Sequence, residues 1–283
     1  MVERLARLVA MLAAGLGVVL LVGAGFTPHV NPDADAYWHA AIRLRDGLPL
    51  YGGPRGDETE IYRYAPWFAF AWVPLTYLGQ PNAYLAWRLI LGLATLAAVW
   101  PLIRRPTPAS LTLAVLLGGL LVSSLQAGNV TPLIVGMLVA GVRTEAGPIL
   151  LGLAGSLKLF PLVLVAGYLA ERRWLAAALA IGVASMLWLN ILAFDVLTYA
   201  EIGGPSFYVG GISLYSISVL LWVPVAFLVV VVVSVLAFRR SRWTWVAASA
   251  AIPVVVPRVW LPDAAYLLVG AAALLAWGER QDH

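Results

Sequence analysis

Apolar runs long enough to cross a bilayer recur along the chain, and they constrain its fold more than any other feature. A first run extends from about Leu5 to Phe26. Others lie at about 64–79, 81–102, 108–125, 130–142, 147–170, 174–194, 213–238, 243–256 and 259–277. A membrane-crossing helix takes roughly 20 predominantly apolar residues. Lipid offers the backbone no hydrogen-bonding partner, so only helices and closed barrels cross it, and runs that are continuous rather than alternating select helices. Composition agrees: 62% of the 283 residues are hydrophobic and 11% are charged, against about 25% charged in soluble domains. The expected fold is an all-α, polytopic membrane helical bundle of about 9–10 membrane segments. It forms one domain over residues 1–283, with no soluble part large enough to hold a site alone.

Charge punctuates the runs. Arg4 and Arg7 precede the first run, which reads as a retained helix rather than a cleaved signal peptide. Basic starts stay inside, so the only long hydrophilic stretch, residues 27–63, is expected outside. Further charges fall at Arg104/Arg105, Arg143/Glu145, Glu171/Arg172/Arg173, Arg239/Arg240/Arg242 and Glu279/Arg280. All of these are cytoplasmic if 64–102 crosses once and 147–170 is a re-entrant pair, the topology preferred here. The net charge of +4 then marks inner loops rather than nucleic-acid binding. Within the outer loop, Asp33 to Asp46 reads as a short helix started by Asn31 and Pro32 and stopped by Gly47 and Pro49. Tyr37, Ala40, Ala41 and Leu44 form its apolar stripe, and Asp35, His39 and Arg43 its polar one, as expected of a helix lying on the membrane surface.

Several residues could carry chemistry. Asp33 and Asp35 are carboxylates at the outer face, where one could act as general base on a hydroxyl; equally, Asp33 could cap the short helix and Asp35 be solvated. Asp33-Ala34-Asp35 also fits a weak two-carboxylate metal pattern, but no soluble sugar-nucleotide domain accompanies it and no metal is expected. Lys158, the only lysine, interrupts an apolar run. A charge at membrane depth marks function by default, here with an anion such as phosphate as partner; the alternative is snorkelling to an interface. Arg258, between two apolar runs, has a fork of donors suited to phosphate or is an ordinary loop arginine. Gln126 and Asn129, in the break Gln126-Ala127-Gly128-Asn129, could hydrogen-bond a sugar or form a polar turn. Tyr37, Trp38, Tyr51, Tyr62, Tyr64 and Trp67 read mostly as interfacial belt residues, with a few, Tyr37 and Tyr64 among them, available to stack on a sugar ring. The absence of cysteine removes disulfides and thiolate chemistry. His29, His39 and His283 show no ligand spacing, and no phosphate loop or dinucleotide fingerprint occurs, so no cofactor is expected.

The first loop, Asp33 through Tyr37, His39, Arg43 and Gly47 to Tyr51, resembles the D-x-x-x-Y…A…G-x-x-L/P-Y signature of the polyprenol-phosphate-mannose-dependent mannosyltransferases, glycosyltransferase family 87. Tyr62-Arg63-Tyr64-Ala65-Pro66 is similar to that family's Y-x-Y-P-P, with Ala65 in place of a proline. Gln126-Ala127-Gly128-Asn129 resembles its G-Q-x-N turn with the order changed. Lys158 to Pro161, with Arg172-Arg173-Trp174, resembles its K-x-x-P…R-R-W stretch. The likeness covers roughly residues 30–175, and the C-terminal third matches poorly. The resemblance implies a GT-C architecture, many membrane helices with a catalytic acid in the first outer loop. It implies Asp33 as the base and Asp35 as its understudy, with Lys158 or Arg258 neutralising the departing lipid phosphate. His39, Tyr37, Tyr64, Gln126 and Asn129 are read as further residues contacting substrate.

The expected function is therefore a multi-pass cell-membrane glycosyltransferase. It would transfer a sugar, mannose first and arabinose second, from a polyprenyl-phosphate donor to a lipid or glycan acceptor on the extracytoplasmic face, with inversion. A membrane transporter or lipid flippase is the alternative; the lack of an internal repeat counts against it. A non-catalytic membrane partner of a larger complex is the third reading.

Overall fold

The computed structural model describes residues 31–52, 61–194, 196–202, 213–257 and 259–281, with positions 12, 16, 17, 23 and 24. Most of the expected first helix, much of the outer loop after Gly52, and Arg258 lie outside the described residues. The described elements are helical: α1 (Pro32–Arg45), α2 (Pro66–Thr76), α3 (Gln80–Ile103), α4 (Pro108–Ala127), α5 (Thr131–Val142) and α6 (Gly147–Leu157). A 3₁₀ turn (Phe160–Leu164) leads into α7 (Val165–Ala170), followed by α8 (Trp174–Leu189) with a further turn (Asn190–Ala193). The chain continues through α9 (Val196–Ile202), α10 (Leu214–Ile217), α11 (Val219–Phe238) and α12 (Thr244–Val255). It ends with a 3₁₀ turn (Leu261–Tyr266) and α13 (Leu267–Gln281).

Proline sets most of these starts. It occupies the first turn of every helix from α1 to α6 and of the turns at Phe160 and Leu261, where its missing N–H has no partner to lose. Pro66 and Pro161 thus open elements rather than break them, while Pro74 and Pro253 sit inside α2 and α12 near their ends. Four described helices have the length and apolarity to cross a membrane: Gln80–Ile103, Pro108–Ala127, Trp174–Ala193 and Val219–Phe238. The expected spans at 130–142, 147–170, 243–256 and 259–277 fold instead as helices of 10–17 residues.

The shortest of these pack at the centre. The segment 147–170 does not run straight, because Lys158 is extended (φ −139°, ψ 131°) and interrupts it. A Cβ placed on Gly147 would lie 2.5 Å from the Tyr168 hydroxyl, and Arg173 pairs with Glu145 at 3.8 Å. The two ends of the segment therefore meet, and the chain doubles back at Lys158 as a helical hairpin. α5 packs on α3, α6 and α13, so closely that a Cβ on Gly136 would stand 2.7 Å from the Ala94 carbonyl oxygen. Small residues allow such approach where no hydrophobic force separates lipid from protein.

Both ends of α2 lie beside α1. Phe68 and Trp72 meet Tyr37, and Arg45 donates to Thr76 Oγ1 at 3.4 Å. α3 then starts next to Asp35, so the stretch 64–102 passes from one end of the bundle to the other once, through α3. α4 returns from Arg104/Arg105 to Gly128, and α5 leaves again towards Arg143. Trp245, at the start of α12, donates to Glu171 at 3.0 Å. The arginine-bearing connections at 104–105, 143, 172–173 and 239–242 thus share the end of the bundle away from Asp33.

Candidate functional site

α1 begins as its sequence dictates. Asn31 is the N-cap residue, Pro32 opens the helix, and Asp33 and Asp35 occupy the first turn, where the helix dipole favours negative charge. The cap position belongs to Asn31, not Asp33, and even the Asn31 side chain turns outward to accept from Arg88 Nε and Nη2 at 3.1 and 2.7 Å. At the other end Gly47 takes φ +69° and Leu48 N returns to Arg43 O at 2.8 Å, a glycine stop.

Successive helical residues are about 100° apart, so positions two apart point nearly oppositely. Asp33 and Asp35 accordingly enter separate networks, and this geometry does not let both carboxylates grip one cation, as the D-x-D pattern would require. Asp33 Oδ1 accepts from Asn129 Nδ2 at 3.0 Å. Asn129 Oδ1 accepts from the backbone N and the Oγ1 of Thr131 at 2.9 and 2.7 Å. Lys158 Nζ donates to Thr131 Oγ1 at 2.8 Å and stands 3.7 Å from Asp263 Oδ1. Asp263 Oδ2 accepts from Trp260 N at 2.9 Å. One polar chain thus runs from the N-terminus of α1 through the α4–α5 turn and the hairpin tip to the 3₁₀ turn at Leu261.

The turn between α4 and α5 sets this convergence. Gly128 is left-handed, φ +74°, and a Cβ there would come within 2.5 Å of the Ala34 Cβ. Only glycine lets the end of α4 sit this close to α1. Trp87 Nε1 locks the turn by donating to Gly128 O at 2.7 Å, and Asn129 N closes it on Ser124 O at 2.8 Å. Trp87 is thereby level with Asp33, and the seven residues of α3 before it rise about 10 Å beyond the site, at 1.5 Å per residue.

Asp35 lies outside this chain. Its Oδ1 accepts from the Tyr84 hydroxyl at 2.8 Å and from Gln80 Nε2 at 3.4 Å. His39 Nδ1 is 3.4 Å from the same oxygen and 3.1 Å from the Asp35 carbonyl. His39 therefore belongs with Asp35, away from Lys158.

Tyr37 backs the site rather than facing out of it, and Tyr64 stands half-buried beside it. Tyr37 is fully buried, donates to the Tyr64 hydroxyl at 3.0 Å and meets Tyr64, Phe68, Trp72 and Trp87 edge-on, with ring centroids 5.0–6.1 Å apart. Such pairs contribute about 0.5–1.5 kcal/mol each beyond area burial. Burial first, then Tyr64 and Asp33, push the Tyr37 phenol well up; burial and then Asp33 do the same for Tyr64. Both phenols therefore stay neutral, Tyr37 as the donor and the Tyr64 hydroxyl as its acceptor. Stacking on a sugar is closed to Tyr37, because its faces are already covered. Tyr51 and Tyr62 are buried as well, so these members of the expected belt are core residues.

Arg43 is a further correction. It was expected on the polar stripe but is buried and donates to Leu50 O at 3.1 Å, closing the loop that follows α1. Gln126 points elsewhere, with Nε2 donating to Ala24 O at 3.1 Å. Arg258 lies outside the described residues. Of the sequence candidates, the fold brings together Asp33, Asn129 and Lys158, with Tyr37 and Tyr64 behind them. It adds Thr131 and Asp263, which the sequence reading passed over. One signal could have found Asp263: it is the only acidic residue between Glu201 and Glu279, in an apolar run, in a chain with one lysine. No protein-family model, curated protein or solved structure matches this chain.

Proposed function

We propose that the chain is a membrane-embedded glycosyltransferase that moves a sugar from a polyprenyl phosphate to a hydroxyl of a lipid or glycan acceptor, with mannose the first choice of sugar. The observation that carries this reading is the polar chain joining an acid, Asp33, to the only lysine at one end of a helical bundle. A glycosyl transfer with inversion needs a base on the acceptor side of the anomeric carbon and a positive charge on the leaving-group side. Asp33 supplies the first. Its Oδ1 is held by Asn129, and an acceptor hydroxyl within about 3 Å of the carboxylate would give up its proton as the glycosidic bond forms. Lys158 supplies the second: an ammonium fixed by Thr131 stabilises the phosphate as the sugar–oxygen bond breaks, without reorganising. The polyprenyl tail would remain in the bilayer, which is why such a reaction suits a membrane bundle.

Sidedness follows from the arginines. The connections bearing eight of them lie at the end away from Asp33, and basic loops stay cytoplasmic. The site is then extracytoplasmic, in a multi-pass protein of the cell membrane. Because the chain has no cysteine, single cysteines report this directly. In sealed right-side-out vesicles an impermeant maleimide should label Leu48→Cys at once and Glu145→Cys only after permeabilisation; the opposite pattern removes the assignment.

The transporter or flippase reading keeps one supporting observation, the hairpin 147–170 whose tip carries the lysine. Interrupted helices of this kind line substrate paths in transporters. The deciding experiment incubates membranes containing the chain with labelled polyprenyl-phosphate-mannose. A labelled acceptor product supports transfer, whereas movement of unmodified donor across proteoliposomes with no product supports transport.

A further inference from the structure

Lys158 is paired in an unequal way. Its hydrogen bond goes to a neutral hydroxyl, Thr131 Oγ1 at 2.8 Å. Asp263 Oδ1, at 3.7 Å, is near enough to neutralise it but beyond hydrogen-bond distance. Asp263 itself is fixed, because its other oxygen accepts from Trp260 N at 2.9 Å inside its own 3₁₀ turn. The lysine side chain is 18% exposed and the aspartate 7%, so the lysine is the more open member of the pair. An ammonium has three donors, and among the described residues only the Thr131 bond occupies one.

We infer that Lys158 is an anion-exchange site: Asp263 is its resident counter-ion, and the phosphate of a polyprenyl-phosphate ligand displaces that carboxylate from the ammonium. This rests on the transferase reading and deepens it. Asp263 is then a positioning residue with two effects. It keeps the lysine aimed at the site while no ligand is bound, and it competes with the bound phosphate, so that the sugar-free lipid phosphate is released. No covalent step is involved; one anion replaces another beside one cation.

The sign of one substitution separates this from a structural salt bridge. Asp263→Asn keeps a carbonyl oxygen for Trp260 N but removes the competing charge. The full chain in nanodiscs would be titrated with farnesyl phosphate and, separately, with inorganic phosphate. We expect D263N to bind farnesyl phosphate roughly tenfold more tightly than the unaltered chain, since a close charge that opposes a ligand weakens it by such factors. Inorganic phosphate should bind more weakly than farnesyl phosphate to both. Unchanged or weaker binding of farnesyl phosphate to D263N overturns the exchange, and equal affinity for the two phosphates overturns the lipid assignment. Folding is controlled with Asp263→Glu, which keeps the competing charge: it should bind farnesyl phosphate within a few-fold of the unaltered chain, and a gain equal to that of D263N counts against the proposal. Neither titration requires sugar transfer, so a failure of the transferase reading shows up separately, as binding without product.

Discussion

Asp33 and Asp35 are two residues apart on one helical turn, carry the same group, and live in different surroundings. Asp33 looks into the bundle, where Asn129, Thr131, Lys158 and Asp263 link four elements that meet only in the folded chain. Asp35 looks towards the first turns of α3, where Tyr84, Gln80 and His39 surround it. The difference teaches that helical phase, not spacing from a motif, decides which carboxylate shares a network with the lysine. A charge at the end of such a network can be positioned by substitutions several links away, whereas Asp35 is held directly by two side chains of α3.

The comparison can be broken at several points. Lys158→Met should have the largest effect, lowering sugar transfer about a hundredfold or more, in line with losing one fixed transition-state charge. It should also destabilise the fold, because Asp263 is left as a buried carboxylate beside no described cation. Adding Asp263→Asn should restore thermal stability but not transfer, and restoration of both would make the pair purely structural. Asn129→Leu removes the hydrogen bond to Asp33 and should lower transfer about 10- to 100-fold, as expected for one bond to a charged group, with donor binding little changed. Gly128→Ala forces a left-handed alanine against Ala34 and should destabilise by about 2 kcal/mol, read by denaturation in detergent. Tyr84→Phe, which removes the hydroxyl that donates to Asp35, should change transfer less than threefold.

Much of the outer helix was legible. Asn31, Pro32 and Gly47 fix its ends through local chemistry, and the break at Lys158 shows as a charge inside an apolar run. The hairpin could be anticipated because charges on both sides of 147–170 had to share one face. The site was legible only in part. Asp33, Asn129 and Lys158 stood out by type, but Thr131 and Asp263 are joined to them by tertiary contacts that no periodicity encodes. The polar stripe misplaced Arg43 because helical phase treats a guanidinium as solvent-seeking, while this one turns back to satisfy the Leu50 carbonyl. The belt reading misplaced Tyr37, Tyr51 and Tyr62 for a related reason. The loop that bears them folds onto α2 and α3, and their rings pack against each other and against Phe68, Trp72 and Trp87 rather than against lipid headgroups.

The most direct test of the account measures sugar transfer from labelled polyprenyl-phosphate-mannose by Asp33→Asn and Asp35→Asn, side by side and at equal folded protein. The account predicts a loss of at least about a hundredfold for Asp33→Asn, the scale of one general base, and a change of only a few-fold for Asp35→Asn. Full activity in Asp33→Asn, or the larger loss in Asp35→Asn, would contradict it.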